Sequence, residues 1–286
     1  MADPILRQKL AENGCLIVPG LQDMIAAKIA NKVGFPVVFG SGYWLTASAM
    51  GLPDVGLATY SDMLKSMQTL VDVCDGALIA DADTGYGGLL NIQHTVRGYE
   101  RAGVTAIQLE DQEFPKRCGH TPGKRIVPDA DMADRVRVAA DTREDKENFL
   151  IIARTDARQS EGLDGVLRRL DAYAEAGADI LFPEALASED EMVKVCERFD
   201  LPLMINMANG GSTPMMTARE IEEIGYSIAI FPSLTSLVAA RAMEDALRTL
   251  KETGNGDPDE IFSFKELGSM LGFDEVHAFE RKWARD

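Results

Sequence analysis

The chain has 286 residues, 46% hydrophobic and 26% charged, a balance that excludes a collagen-like, low-complexity or largely disordered polymer. Its 46 acidic against 29 basic residues leave a net charge of −17. A field of that sign repels phosphate backbones and anionic lipid, so neither nucleic acid nor a membrane surface is an expected partner. An anionic substrate would need local positive charge supplied against the whole-molecule field.

No apolar run reaches the ~18–20 residues of a membrane helix, and the opening MADPILRQKLAENG lacks the basic, apolar, small-residue succession of a secretory signal. Cys15, Cys74, Cys118 and Cys196 form no CxxC pair, and three histidines offer no zinc cluster. These features predict a cytoplasmic protein with free thiols.

In chain order the apolar segments are Leu16–Pro19, Pro36–Ser41, Ala77–Asp81, Ala106–Glu110, Leu150–Arg154, Asp179–Glu184, Pro202–Asn206 and Ser227–Pro232. Each has the length of a strand and is nearly continuous in Val, Ile, Leu, Ala and Phe, as parallel strands read when both faces are covered. Amphipathic helical patterns lie between them, such as Leu163–Ala176. Gly34, Gly103, Gly177 and Gly225 each stand just before an apolar segment, where a left-handed residue ends a helix and opens a short turn. Eight such units predict an α/β fold, a (β/α)8 barrel, over an open doubly wound sheet, whose GxGxxG signal is missing after the first strand. Leu237–Lys251 reads as the eighth helix, Gly254–Pro258 as a breaker and Phe262–Trp283 as further helix with aromatic anchors. The expectation is one barrel domain over 1–286, with 254–286 as a C-terminal helical extension that packs on its own barrel or on a neighbouring subunit.

Barrel enzymes build their sites at the C-terminal strand ends. Here those ends carry Ser41-Gly42, Asp81-Ala82-Asp83, Glu110-Asp111-Gln112, Arg154-Thr155-Asp156, Glu184 and Asn206. Polar residues at six strand ends on one rim are hard to reconcile with a purely structural role. Asp81 and Asp83 lie two apart, so regular strand geometry points both carboxylates to one side. With Glu110 they form an acid cluster that calls for a hard divalent cation, magnesium or manganese, bound partly through water; helix-capping aspartates in a solvated turn are the alternative. Such a cation also answers the charge problem. The stretch Gln112–Ile126 is long for a βα loop, is flanked by Pro115 and Pro122, and carries Lys116, Arg117, Lys124 and Arg125, as a closing lid would. Cys118 sits inside it, where neighbouring positive charge is expected to lower its pKa; an inert loop thiol is the plainer reading.

Lys116-Arg117-Cys118-Gly119-His120 resembles the KKCGH/KRCGH signature of the isocitrate lyase and phosphoenolpyruvate mutase superfamily. The likeness continues through Ser41-Gly42, Leu52-Pro53-Asp54, the DADTGYG run from Asp81, Leu109–Gln112, Ala153–Asp156 and Phe182–Ala185, in order along nearly the whole chain. At this length the chain is similar to the branch holding 2-methylisocitrate lyase, 2,3-dimethylmalate lyase and oxaloacetate hydrolase. The resemblance implies a barrel whose terminal helices swap between subunits of a homotetramer. It implies Mg2+ at Asp81 and Asp83, reached through water by Glu110 and Asp54. It places Ser41, Gly42 and Tyr43 around a substrate carboxylate and Arg154 on the oxygens of a 2-oxo acid unit. Glu184 and Asn206 complete that pocket, and Gly119 and His120 close over the ligand with Cys118.

The implied chemistry is cleavage of the C2–C3 bond of a substituted malate after loss of its 2-hydroxyl proton, with Cys118 protonating the departing carbanion. The base is not identified. In 2-methylisocitrate lyases an arginine stands five residues past the strand-eight proline; here Leu237 does, with Arg241 a turn later, which disfavours a tricarboxylate. Asn209 stands where relatives carry a glutamate nearby, and Trp44 is bulky beside the carboxylate cradle. The rival reading is hydrolysis of oxaloacetate to oxalate and acetate, with Ser233, Thr235 and Ser236 available for a gem-diol. Phosphonate P–C chemistry is disfavoured by the lid cysteine, and a barrel that only binds is disfavoured by the complete set of motif residues.

Overall fold

The computed structural model describes residues 2–12, 14–121, 123–258 and 261–284, so Pro122, one flank of the predicted lid, lies outside the described residues. Eight strands run β1 Leu16–Leu21, β2 Val37–Gly40, β3 Ala77–Asp81, β4 Ala106–Glu110, β5 Leu150–Thr155, β6 Ile180–Pro183, β7 Met204–Asn206 and β8 Ile228–Phe231. The helices are α1 Ile5–Ala11, α2 Met24–Val33, α3 Gly42–Met50, α4 Tyr60–Val73, α5 Leu89–Arg101 and α6 Asp129–Thr142, followed by α7 Arg158–Glu175, α8 Glu189–Arg198, α9 Ala218–Ile224, α10 Leu234–Thr253, α11 Phe264–Met270 and α12 Phe273–Trp283. The chain forms two compact units, Met1–Ser236 and Leu237–Asp286.

All strand pairs are parallel, in the order β6-β5-β4-β3-β2-β1-β8-β7. A single parallel bridge, Leu181 to Leu203, closes the ring between β6 and β7, the Leu181 N–H donating to Pro202 O at 3.0 Å. This is a (β/α)8 barrel. Two cores follow from the period-2 alternation of a strand. Val37, Phe39, Ala77, Ile79, Ile152, Phe182, Met204 and Ile230 fill the interior, with Leu6 of α1 among them; Val38, Leu78, Ile107 and Ile151 face outward under the helices.

The four repeat glycines have φ of 89° (Gly34), 88° (Gly103), 102° (Gly177) and 117° (Gly225), each just past a helix as the pattern predicts. Side-chain caps start the helices: Asp23 for α2, Ser188 for α8, and reciprocal capping boxes at Thr59–Asp62 and Thr217–Glu220. Helix α7 breaks at Gly162, with φ 68° and ψ −171°, so its regular part begins at Leu163. In the second unit, α11 and α12 meet at Gly272, and Phe264, Phe273, Phe279 and Trp283 are exposed.

Candidate active site

The interior alternation continues past the apolar layers and puts chemistry on the rim. Two residues beyond Ile79, Gln108, Ile152, Phe182 and Met204 come Asp81, Glu110, Arg154, Glu184 and Asn206, all buried. Inward-facing strand positions that, Gln108 apart, are apolar deeper in the barrel thus become polar together at one end.

Asp81 ends β3. Asp83 lies beyond that strand with φ 47°, so the two aspartates do not meet by strand alternation; a turn brings the Asp83 N–H to Asp81 Oδ1 at 3.0 Å. The Gly42 N–H at the start of α3 donates to Asp81 Oδ2 at 3.2 Å, and a β-carbon at Gly42 would lie 2.8 Å from that oxygen, so the position requires glycine. Ser41, buried just before α3, does not cap it with its hydroxyl. Exposed Tyr43 lies tilted against half-buried Trp44, ring centroids 4.7 Å apart, and lines a cavity of about 830 Å3 with Asp54, Lys116 and Cys118.

Lys116 reaches into the acid cluster. Its Nζ lies 2.5 Å from Asp54 Oδ1 and 2.6 Å from Asp83 Oδ1, with 4% of the residue exposed. Burial favours the neutral amine, but Asp83, Glu110, Asp54 and Asp81 outweigh it and hold the ammonium charged far above the ordinary lysine range. Burial pushes the carboxyl groups of Asp81, Asp83 and Glu110 up, against the pull of Lys116 and Arg154. Among the described residues Glu110 Oε1 is buried without a hydrogen-bond partner, and no three His, Cys, Asp or Glu side chains converge as a ready inner shell. Buried carboxylates with an open acceptor and no tight cage suit a hard cation that keeps much of its water.

Across the rim, Arg154 is clamped by Asp156 (Nε to Oδ2 2.9 Å, Nη2 to Oδ1 3.0 Å), with Glu184 at 3.3 Å and Glu110 at 3.5 Å. Those acids overcome the cost of burial and keep the guanidinium charged. Asn206 donates to Glu184 Oε2 at 3.1 Å. The Ser212 N–H donates to His120 Nδ1 at 3.2 Å, and His120 Nε2 lies 3.2 Å from Asn206 Nδ2 and 3.3 Å from Glu184 Oε1.

The lid is held at both ends. Gln112 and Ile126 form an antiparallel bridge at its base, and the Gln112 side chain bonds both the N–H and C=O of Arg117. The Lys124 ammonium bonds Asp156 Oδ1 at 2.8 Å and the Gly119 carbonyl. A β-carbon at Gly119 would collide with Arg154 Nη2 and Glu184, so this residue presses directly on the pocket. The Cys118 thiol is pushed up, not down as the basic loop suggested. Burial dominates, and Asp54 and Glu184 offset the His120 N–H and Arg154.

Of the candidate site residues, Ser41, Asp81, Asp83, Glu110, Arg154, Glu184 and Asn206 stand at or just past strand ends on this rim, Gly42 and Tyr43 on α3, Asp54 in the α3–α4 connection, and Cys118, Gly119 and His120 on the lid. The sequence reading missed Lys116 as the acid cluster's counter-ion and Lys124 and Asp156 as the lid's fastening, although all three lie in the quoted motifs. It also missed the support beneath. Asp111, wholly buried, accepts from Thr155 at 2.7 Å, Tyr173 at 2.8 Å, the Asp156 N–H at 2.9 Å and Arg169 at 3.2 Å. Arg169, in the polar-looking helix α7, carried no signal.

A closed barrel with buried acids, an arginine clamp and a hinged thiol on one rim defines a barrel enzyme. The family model for phosphoenolpyruvate phosphomutase matches residues 6–251, and the chain belongs to that family. It is 40% identical to the 2,3-dimethylmalate lyase of Eubacterium barkeri, over 98% of this chain and 97% of that protein. It is 37% identical to a 2-methylisocitrate lyase of Halalkalibacterium halodurans, over 98% and 92%. Among solved structures, a 2,3-dimethylmalate lyase superposes with a TM-score of 0.92 at 33% identity, covering 99% of this chain and 96% of that one. An oxaloacetate acetylhydrolase bound to 3,3-difluorooxalacetate superposes with a TM-score of 0.91 at 33% identity, covering 97% and 95%. The chain is a member of the isocitrate lyase and phosphoenolpyruvate mutase superfamily, in its carbon–carbon lyase class.

Proposed function

We propose that the chain is a magnesium-dependent lyase that cleaves the C2–C3 bond of a substituted malate, of the 2,3-dimethylmalate type, into a 2-oxo acid and a carboxylic acid. The observation that carries this reading is the half-buried Cys118 thiol, its pKa raised by burial, on a lid seated over the same rim as the acid cluster and the Arg154 clamp. Asp81, Asp83, Glu110 and Asp54 would hold the cation; manganese would fit the same oxygen donors. Bound there, it acidifies the substrate hydroxyl and holds an anion within an acidic protein. Arg154, oriented by Asp156 and Glu184, binds the oxygens of the nascent 2-oxo acid, and the donors around Ser41, Gly42 and Tyr43 hold the second carboxylate.

A base takes the C2 hydroxyl proton, the freed O–H pair forms the C2=O bond, the C2–C3 pair passes to C3 and its carboxylate, and Cys118 Sγ–H gives its proton to C3, leaving a thiolate that solvent reprotonates after release. Without the cation, the four acids keep the Lys116 ammonium charged. His120 and Gly119 keep the lid seated on Glu184 and Arg154 while water is excluded.

A dicarboxylate with small apolar substituents fits better than a tricarboxylate. Leu237 replaces the arginine expected there, and Arg241 is exposed and paired with Asp245 of its own helix at 2.9 Å. Oxaloacetate hydrolysis is the second reading, favoured by the likeness to the acetylhydrolase. Against it, the Ser233 hydroxyl is engaged with Asn209 at 3.0 and 3.1 Å, and that of Thr235 with Gly20 O at 2.9 Å and Gln22 at 2.7 Å. Of the three hydroxyls, only that of Ser236, buried without a hydrogen-bond partner among the described residues, is left for a gem-diol. A working homo-oligomer follows from the resemblance and agrees with the exposed aromatic residues of α11 and α12.

Proton NMR of purified enzyme with Mg2+ tests the assignment against 2,3-dimethylmalate, 2-methylisocitrate, isocitrate, oxaloacetate and phosphonopyruvate. Pyruvate from dimethylmalate establishes the lyase. Acetate and oxalate from oxaloacetate transfer the assignment to the hydrolase, and pyruvate and phosphate from phosphonopyruvate transfer it to P–C chemistry.

A further inference from the structure

We propose that Lys116 is a cation-responsive latch: its ammonium, shared between Asp54 and Asp83, fastens the lid over the acid cluster, and a divalent cation entering that cluster displaces it and frees the lid. The proposal rests on the reading of Asp81, Asp83 and Glu110 as a metal site.

The geometry gives one side chain two duties. Lys116 belongs to the lid, two residues before Cys118, yet its ammonium is buried among carboxylates from three other places: the α3–α4 connection (Asp54), the turn after β3 (Asp83) and the end of β4 (Glu110). Three buried acids, Asp81, Asp83 and Glu110, and half-buried Asp54 face two cations there. One of these, Arg154, is immobilised by its fork on Asp156 and its contact with Glu184. Lys116 is the cation carried on a segment that a hinge can move.

An ammonium 2.6 Å from Asp83 and a divalent ion on the same carboxylate repel each other, so the two compete for Asp83. By linkage, whatever the cation does to the latch, the latch does to cation affinity. Release at Lys116 leaves the lid held by the Gln112 side chain at Arg117 and by Lys124 on Asp156 and the Gly119 carbonyl, so it removes one of three fastenings and loosens the loop that carries Cys118. An order of events follows. The cation binds and loosens the lid, the dicarboxylate enters and offsets the cation's charge, and the ammonium returns with Cys118 positioned. Lys116 is a positioning residue in this scheme, acting through the lid.

The test uses the full-length enzyme without substrate. Hydrogen–deuterium exchange of residues 112–126 is followed with and without Mg2+, and Mg2+ affinity is measured by calorimetry, for the native chain, Lys116→Met and Lys116→Gln. Mg2+ alone is expected to speed lid exchange in the native enzyme. In the variants the lid exchanges fast already, Mg2+ leaves it unchanged, and Mg2+ binds about 5- to 50-fold more tightly. Slower or unchanged lid exchange on adding Mg2+ to the native enzyme overturns the latch, as does Mg2+ affinity in the variants no higher than native. The exchange result on the native chain decides the matter even if neither variant folds. If the native chain binds neither Mg2+ nor Mn2+, the metal reading itself falls and takes the latch with it.

Discussion

Burial, helped by Glu222 beside Cys15 and Asp75 beside Cys74, pushes the Cys15 and Cys196 thiols up to about 12 and Cys74 to about 11. Cys118 is raised as well, but Arg154 and the His120 N–H act on it, and it lines the substrate-facing cavity. A raised thiol is the proton-donating form at neutral pH, which is what carbanion capture needs and what a nucleophile would not. Replacing Cys118 with serine is expected to lower turnover by about 10²–10⁴-fold while Mg2+ and product binding persist. Steady-state kinetics with calorimetry checks this, and a variant that still turns over at the native rate removes Cys118 from the mechanism. The pH sign follows from the same shift. The acid form is kept until the pH passes the raised thiol value, so the alkaline limb of kcat should lie above the ordinary thiol range and vanish with Cys118. A limb near pH 7 would mean that another group donates the proton.

At the level of elements, helix α7 supports the pocket through Arg169, which joins Asp111 beneath the Arg154–Asp156 pair to Glu161 on its own helix at 2.7 Å. Removing the arginine strands a buried carboxylate, so Arg169→Met is expected to cost about 3–5 kcal/mol of stability, measured by denaturant unfolding. A loss under about 1 kcal/mol would show that Asp111 is satisfied by Thr155 and Tyr173 alone. The strands were legible because their signal is local. Ala77–Asp81 and Ala106–Glu110 have the bounds that hydrophobicity predicts, and β1 runs on to Leu21 because Gly20 and Leu21 find partners in Phe39 and Gly40. The start of helical periodicity at Leu163 marked a real break at Gly162, inside a longer helix. The rim residues were legible for the same reason, each being a polar letter at the end of an apolar run. The ion pairs that fasten the lid were not. Lys124 and Asp156 are 32 positions apart, and nothing local in either segment says which basic residue meets which acid. The direction of the Cys118 shift failed likewise, since burial, the dominant cause, is a tertiary property.

For the whole molecule, the net charge of −17 sets a long-range repulsion against a dicarboxylate, while the pocket is locally attractive. Screening reaches in to about 8 Å at 0.15 M ionic strength, from about 30 Å at 0.01 M. Raising salt between those values is therefore expected to increase kcat/KM a few-fold, measured at constant Mg2+. A decrease would mean that the basic lid, not the acidic surface, steers the substrate.

The ring of strands has its thinnest join between β6 and β7, where one backbone bridge closes it, on the side opposite the β2–β3 pair that leads to Asp81. Directly above that join, the Asn206 amide meets the Glu184 carboxylate at 3.1 Å. Two pocket side chains thus act as the clasp of the hoop where main-chain hydrogen bonds run out. Anything that fills the pocket and steadies Glu184 and Asn206 also tightens the circle. Occupancy should therefore be readable deep in the scaffold, as slower deuterium exchange at the Leu181 amide when a 2-oxo acid product is bound, with amides of the fully laddered β4–β5 pair unmoved. Equal slowing at both places would show that the pocket stiffens the barrel as a whole, without a privileged seam.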